Sequence, residues 1–408
     1  MYCADSMLRA AILALAAALT TACGGGGGSS ATPGIPSSPT NNVLLASVDA
    51  GPADSGYNVN RLYVDVKICQ PGSTQCRTID HVLVDTGSTG LRLLSSAIAP
   101  ALSLDRINGS TGFPLLNCAQ FVDNTFAWGP VVTADVVLAG KTAASVPIQL
   151  MADPAFGNPP LACSGGGSQM TSTSDLGAKG ILGIGLFRFD CDSGCSTTTH
   201  NGFYYTCTSA SCTSSTGARA SLAQQLTNPV SMFATDNNGV LIDLPAAGSG
   251  PTTSLKGSLI FGVGTQSNNL PASGIVLATD ATGNFTTLLA GQTMNGSFID
   301  SGSNGFFFDS SSIPVCADSP GFYCPASFTS LSATLIGTNQ VRTAISFAID
   351  NATAMFGDAS QVVLPALSGP FGDPSGFDWG LPFFYGRRVF IGIEGQSSSL
   401  GTGPYYAF

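Results

Sequence analysis

The chain has 408 residues, and 14 Lys and Arg against 24 Asp and Glu give a formal net charge of −10. That balance excludes a basic groove for nucleic acid, because phosphate contacts need clustered cations. Only 9% of residues are charged, 44% are hydrophobic and 50 are Gly, which excludes helical bundles, coiled coils and general disorder and leaves apolar strands joined by glycine-rich turns.

The first segment reads as an address. Arg9 supplies a positive charge, and Ala10 to Leu19 is an uninterrupted run of small and apolar side chains. That run is too short to span a bilayer and fits a cleaved export signal. It ends Thr20-Thr21-Ala22-Cys23, followed by Gly24 to Gly28. The sequence around Cys23 resembles the lipobox of bacterial lipoproteins, which implies lipidation of Cys23. Residues 1–22 are then a signal peptide, and 23–42, rich in Gly, Ser and Pro, a flexible tether. The resemblance implies a lipid-anchored protein of the bacterial cell envelope, held at the outer membrane.

Twelve cysteines are present, of which Cys3 and Cys23 fall in the leader. Ten remain: Cys69, Cys76, Cys118, Cys163, Cys191, Cys195, Cys207, Cys212, Cys316 and Cys324. An even number in an exported chain predicts disulfides. Cys69 with Cys76 and Cys316 with Cys324 enclose short loops and are natural partners, while the pairing of Cys191, Cys195, Cys207 and Cys212 stays open. Spacings that do not repeat, with only His81 and His200 as imidazole donors, argue against a zinc site.

From Val43 onward the pattern is strand, turn, strand. Arg61 to Ile68 alternates apolar and polar side chains, and similar stretches recur to Arg388–Ile393, bounded by Gly, Pro, Asn or Asp. Ala220 to Leu226 is the best short helix. Asp190 to Gly217 is expected to be a stapled surface loop. Arg92 reads as a solvated strand residue, and Phe306-Phe307-Phe308 as core strand.

An internal repeat decides the architecture. Val82 to Leu93 reads VLVDTGSTGLRL, and Ser297 to Phe308 reads SFIDSGSNGFFF. Each copy is an apolar strand, Asp, hydroxyl, Gly, Ser, any residue, Gly, apolar strand. An echo follows each: Gly180-Ile181-Leu182-Gly183 after the first and Trp379-Gly380-Leu381-Pro382 after the second. A lone carboxylate emerging from a core strand is costly. Two such turns face to face would place Asp85 beside Asp300, and two adjacent like charges share a proton, an effect known best from the aspartic-protease pair. One carboxylate can then act as base on a water while its protonated partner polarises a carbonyl.

On these motifs the sequence resembles the pepsin-like aspartic proteases, from about Val43 to Phe408. The resemblance implies an all-β, bilobal fold of two pseudo-symmetric lobes, 43–248 and 249–408, with a cleft between them. It implies catalytic roles for Asp85 and Asp300, with Thr86, Gly87, Ser88, Ser301, Gly302 and Ser303 supporting them. It implies a peptide or protein substrate, no metal or cofactor, no nucleic acid and a monomer. The family's covering flap is expected at Trp128 and Gly129, where Trp128 replaces the usual Tyr. Three readings stay open: an endopeptidase, a catalytically inactive lipoprotein binding peptides, glycans or envelope proteins, and a structural envelope protein.

Overall fold

The computed structural model of the protein describes residues 41–408 apart from 249 and 272–273. The expected signal peptide, Cys3, the lipidation site Cys23 and all but the end of the tether lie outside the described residues. No described helix is long and apolar enough to cross a membrane.

Strand accounts for 42% of the chain and helix for 10%, which makes the fold all-β. Seven strands open it: β1 (Val43–Val48), β2 (Leu62–Cys69), β3 (Cys76–Asp85), β4 (Thr89–Leu94), β5 (Leu115–Gln120), β6 (Thr125–Leu138) and β7 (Lys141–Met151). Period-two alternation sets the inward face of β2, where Val64, Val66 and Ile68 are buried and Asp65 and Lys67 exposed. The end of β3, Val82 to Asp85, is buried on both faces, as its continuous apolar run requires.

The first lobe is a closed barrel of six strands. Its order is β2, β3, Gly180–Ile184, β4, β7 and β6, and β6 pairs back onto β2. The second lobe is a seven-stranded half-barrel that includes Gln292–Ile299, Phe306–Phe308 and Gly376–Trp379. A shared antiparallel sheet joins β1 to Leu255–Phe261, then Gly239–Asp243, Arg388–Gly392 and Tyr405–Ala407. The expected division between 248 and 249 falls within the hairpin of Gly239–Asp243 and Leu255–Phe261, so strands from both sides of it share this sheet.

Both repeats build the same local device. Strand Gly180–Ile184 runs parallel to β3, with Gly183 opposite Asp85, and antiparallel to β4. Strand Gly376–Trp379 runs parallel to Gln292–Ile299 and antiparallel to Phe306–Phe308. The echoed glycines follow from this crossing. A Cβ on Gly183 would lie 2.8 Å from Ser88 Oγ and from the Gly90 carbonyl, and one on Gly380 would lie 2.2 Å from the Gly305 carbonyl. The third strand passes too close under each Asp turn for any side chain at that point.

Five disulfides form among the described residues. Cys69–Cys76 and Cys316–Cys324 are as expected, Cys191–Cys195 and Cys207–Cys212 resolve the open pairing, and Cys118 bridges to Cys163. The last closes the longest loop, a separation of 45 residues, for which chain entropy predicts about 4 kcal/mol of stabilisation.

Two local expectations need correction. The segment Asp190–Gly217 is stapled as expected, yet it is more than a surface loop. Its strand Tyr204–Cys207 pairs with β5 and is buried throughout. Ala220–Leu226 forms only a three-residue 3-10 turn, Leu222–Gln224, closed by a reciprocal bond between Ser221 and Gln224. Asn228 precedes Pro229 and is thereby held out of helix, which limits extension.

Candidate active site

The cleft between the lobes is floored by the two Asp turns. Asp85 ends β3 and Asp300 follows Ile299 directly. The backbone N–H of Gly87 donates to Asp85 Oδ1 at 2.8 Å and to Asp300 Oδ1 at 3.0 Å, so a single donor bridges both carboxyl groups. The pairing expected from the repeat is present.

The supporting residues divide into two sets. Thr86 and Ser301 are buried and clasp the lobes together. The Ser301 N–H donates to Thr86 Oγ1 at 2.9 Å, the Thr86 N–H to Ser301 Oγ at 3.2 Å, and the two hydroxyls donate to the carbonyls of Ile299 and Val84. These four bonds fix the height of each turn against the other. Ser88 and Ser303 face the carboxyl groups instead. Ser88 Oγ donates to Asp85 Oδ2 at 2.5 Å, and Ser303 Oγ to Asp300 Oδ2 at 3.1 Å. Asp85 also accepts from the Ser88 N–H at 3.1 Å, and Asp300 from the Gly302 N–H at 2.7 Å.

Each carboxyl accepts three hydrogen bonds, and burial is what raises Asp300. Asp300 is pushed well above the ordinary carboxyl range, first by burial and then by the charge of Asp85. Asp300 is therefore the seat of the shared proton.

The flap is corrected. Trp128 is buried, its indole N–H donates to the Phe156 carbonyl at 2.7 Å, and its ring packs edge-on against Tyr205. It belongs to a side cluster with Phe126, Phe156 and the Cys118–Cys163 bridge, away from the cleft. Gly129 is a close-packing glycine, since a Cβ there would meet the Leu150 carbonyl at 1.8 Å. The covering element is the tip of the β5–β6 hairpin. Phe121 and Val122 line both halves of the cleft, and Val122 is 78% exposed. Asp123 and Asn124 form the turn, with Asn124 at φ +64°. That Asp-Asn pair between two apolar stretches was the available signal; the Trp-Gly dipeptide drew the reading four residues too far.

Each half of the cleft holds a charged residue absent from the expected site. One half, about 470 Å³, is lined by Leu83, Ile181, Phe307 and Asp378 besides the pair. Phe306 and Phe308 are core as expected, and Phe307 turns to this cleft. The other half, about 410 Å³, is lined by Phe187, Phe203, Phe298, Tyr406 and Arg92. Arg92 is not solvated. It is 2% exposed and lies 3.7 Å from Asp190, which also accepts from Tyr204 at 2.6 Å and from Asn117 at 3.0 Å. Burial raises Asp190 to about 6 against the opposing pull of Arg92. The partner that buries Arg92 sits in the inserted segment, far along the chain.

The fold and site together define an all-β, two-lobed protein with a carboxyl pair shared between its lobes. Residues 38–408 match DUF3443, a family described as "Protein of unknown function", and the chain belongs to that family. No curated protein matches the chain. Among solved structures it is similar to the aspartic proteinase from Irpex lacteus, at 16% identity over 90% of this chain and 96% of that one, with a TM-score of 0.45.

Proposed function

We propose that the protein is an aspartic endopeptidase of the cell envelope. The observation that carries this reading is the single Gly87 N–H bridging Asp85 and Asp300 at the floor of an open cleft. Asp85, ionised, takes a proton from a water held between the two carboxyls. Asp300, protonated, donates to the carbonyl oxygen of the scissile peptide as the tetrahedral centre forms. Phe121 and Val122 cover the peptide, and each lobe supplies one carboxyl, so a monomer is complete. The alternative is a catalytically inactive lipoprotein that binds peptides, glycans or envelope proteins, and cleavage decides between the two. Incubation of the full chain with a diverse peptide library across acid to neutral pH, beside Asp85→Ala, tests the proposal. Cleavage by wild type alone supports it, and absence of cleavage at every pH rejects it.

The address is part of the proposal. Lipidation at Cys23 places the enzyme on the membrane, with the tether giving it reach. Wild type is expected in the membrane fraction with a lipid mass on its N-terminus, and Cys23→Ser is expected to be released or left unprocessed. A wild type that is soluble and carries no lipid sinks this part.

A further inference from the structure

Asp378 is a carboxyl that the fold does not require. It stands on Gly376–Trp379 opposite Phe298, two residues before Asp300. The matching position in the first lobe, opposite Leu83 and two residues before Asp85, is Ile181. Both line the same half of the cleft. The fold therefore accommodates an apolar side chain here, and one lobe has a carboxyl instead.

Its surroundings do not suit a charge. Asp378 is 1% exposed, and its Oδ1 has no hydrogen-bond partner among the described residues. Its ladder neighbours are Phe298 on one side and Phe307 on the other. None of the described ion pairs includes it. The groups that face it are Ser303, Asp85, Asp300 and the buried Tyr406. Arg61, Asp123 and Asp175 line the same half of the cleft without a bond to it among the described contacts. A carboxylate with no cation, buried among rings and beside two more carboxyls, is strongly disfavoured against its neutral form. Burial, with the charge of Asp85 added, raises it to about 8.

The neutral acid fits the contacts. Ser303, beside it in the same half of the cleft, gives its own hydrogen to Asp300 Oδ2, which leaves Ser303 Oγ as an acceptor for the O–H of Asp378. We infer that Asp378 is a third carboxyl of this site, a positioning residue that holds its own proton and acts through Ser303 on Asp300, so that three carboxyls carry two protons and one negative charge. The inference deepens the peptidase reading and rests on it for its catalytic meaning. Once Asp378 ionises, its charge raises Asp300 further and keeps the shared proton in place to higher pH.

Infrared absorption of protonated carboxyls, measured on the full chain at about pH 7, reads the proton count without any turnover. Wild type is expected to show two such groups, with one lost in Asp378→Asn and one in Asp300→Asn. Asp378→Ile, which installs the residue of the matching position, is expected to lose the same one and keeps the test open if the Asn variant folds poorly. Where wild type cleaves peptide, the alkaline limb of kcat/KM is expected to fall by about one pH unit in both Asp378 variants, because Asp300 then gives up its proton earlier. An unchanged infrared signal in Asp378→Asn overturns the proton on Asp378, and an unmoved limb overturns the action on Asp300. A wild type with two protonated carboxyls and no cleavage instead rejects the peptidase reading alone.

Discussion

On the peptidase reading, Asp85→Asn and Asp300→Asn are each expected to lower kcat/KM by about 10³-fold or more while the protein folds and forms the five disulfides of the described residues. The size of the loss follows from the shared proton. Neither carboxyl does its work without the other, so the double variant loses little beyond either single one. Wild-type activity is expected to be bell-shaped in pH, with two limits that belong to the pair. Stability moves the other way. Asp300 is raised well above its ordinary 3.8 in the folded state, chiefly by burial and then by Asp85. Above that ordinary value the unfolded chain has released a proton that the folded chain still holds, so folded stability falls as pH rises toward the raised value. Asn cannot ionise and removes that slope. Asp300→Asn therefore melts at a higher temperature than wild type at about pH 7, and the difference vanishes as pH falls below the ordinary carboxyl value. Thermal melts across pH, run beside the kinetics, check both halves. A variant that keeps a tenth of wild-type turnover refutes the role of the pair, and a pH-independent difference in melting refutes the assignment of the proton to Asp300.

What the sequence revealed and what it hid have a common physical cause. The two Asp turns were legible because their requirements are local: an apolar strand, a carboxyl, a hydroxyl and a glycine within a few positions. The echoed glycines were legible for the same reason, although their purpose, passage under the Asp turn, is visible only from Gly183 against Ser88 and Gly380 against Gly305. Cys69–Cys76 and Cys316–Cys324 were local as well, whereas four cysteines close together in Asp190–Gly217 left their pairing open. Arg92 was not, because its burial depends on Asp190 and Tyr204 of the later segment meeting Asn117 of β5. Trp128 misled because a large aromatic next to Gly suits a flap and a packed cluster equally, and only Phe156 and Tyr205 decide between them. Asp378 lay in a short, otherwise apolar and aromatic stretch, Gly376-Phe377-Asp378-Trp379, where one polar residue reads as the outward face of a strand. Its inward placement follows from the register with Phe298 and from the cleft beyond, which no window of sequence contains.

Gly87→Ala is expected to be nearly as damaging as loss of a carboxyl, although it removes no functional group. A Cβ on Gly87 would stand 2.6 Å from Asp300 Cγ and from Asp300 Oδ2, well inside contact distance and against the opposite lobe. Gly87 does not sit at a left-handed φ, so the turn itself accepts Ala; the obstacle is the partner carboxyl. Relief must come from moving Asp300 or the whole turn, and Thr86 and Ser301, locked by four bonds, resist movement of the turn. Asp300 is then displaced, the bridging N–H contact at 3.0 Å is lost, and the water site between the carboxyls changes shape. Displacements of this size cost about 10²-fold in rate when reacting groups must be aligned. Overpacking adds about 1–3 kcal/mol of destabilisation. Gly302→Ala should behave likewise, since its Cβ would lie 2.8 Å from Asp85 Oδ1. Gly157→Ala serves as the control, because a Cβ there meets nothing within 4 Å. Kinetics and melting of the three variants decide the matter. Loss of kcat/KM in Gly87→Ala and Gly302→Ala beside a silent Gly157→Ala is the expected pattern. Wild-type turnover in Gly87→Ala would mean that the two carboxyls need not stand this close, and the shared proton with its bell-shaped profile would go with it.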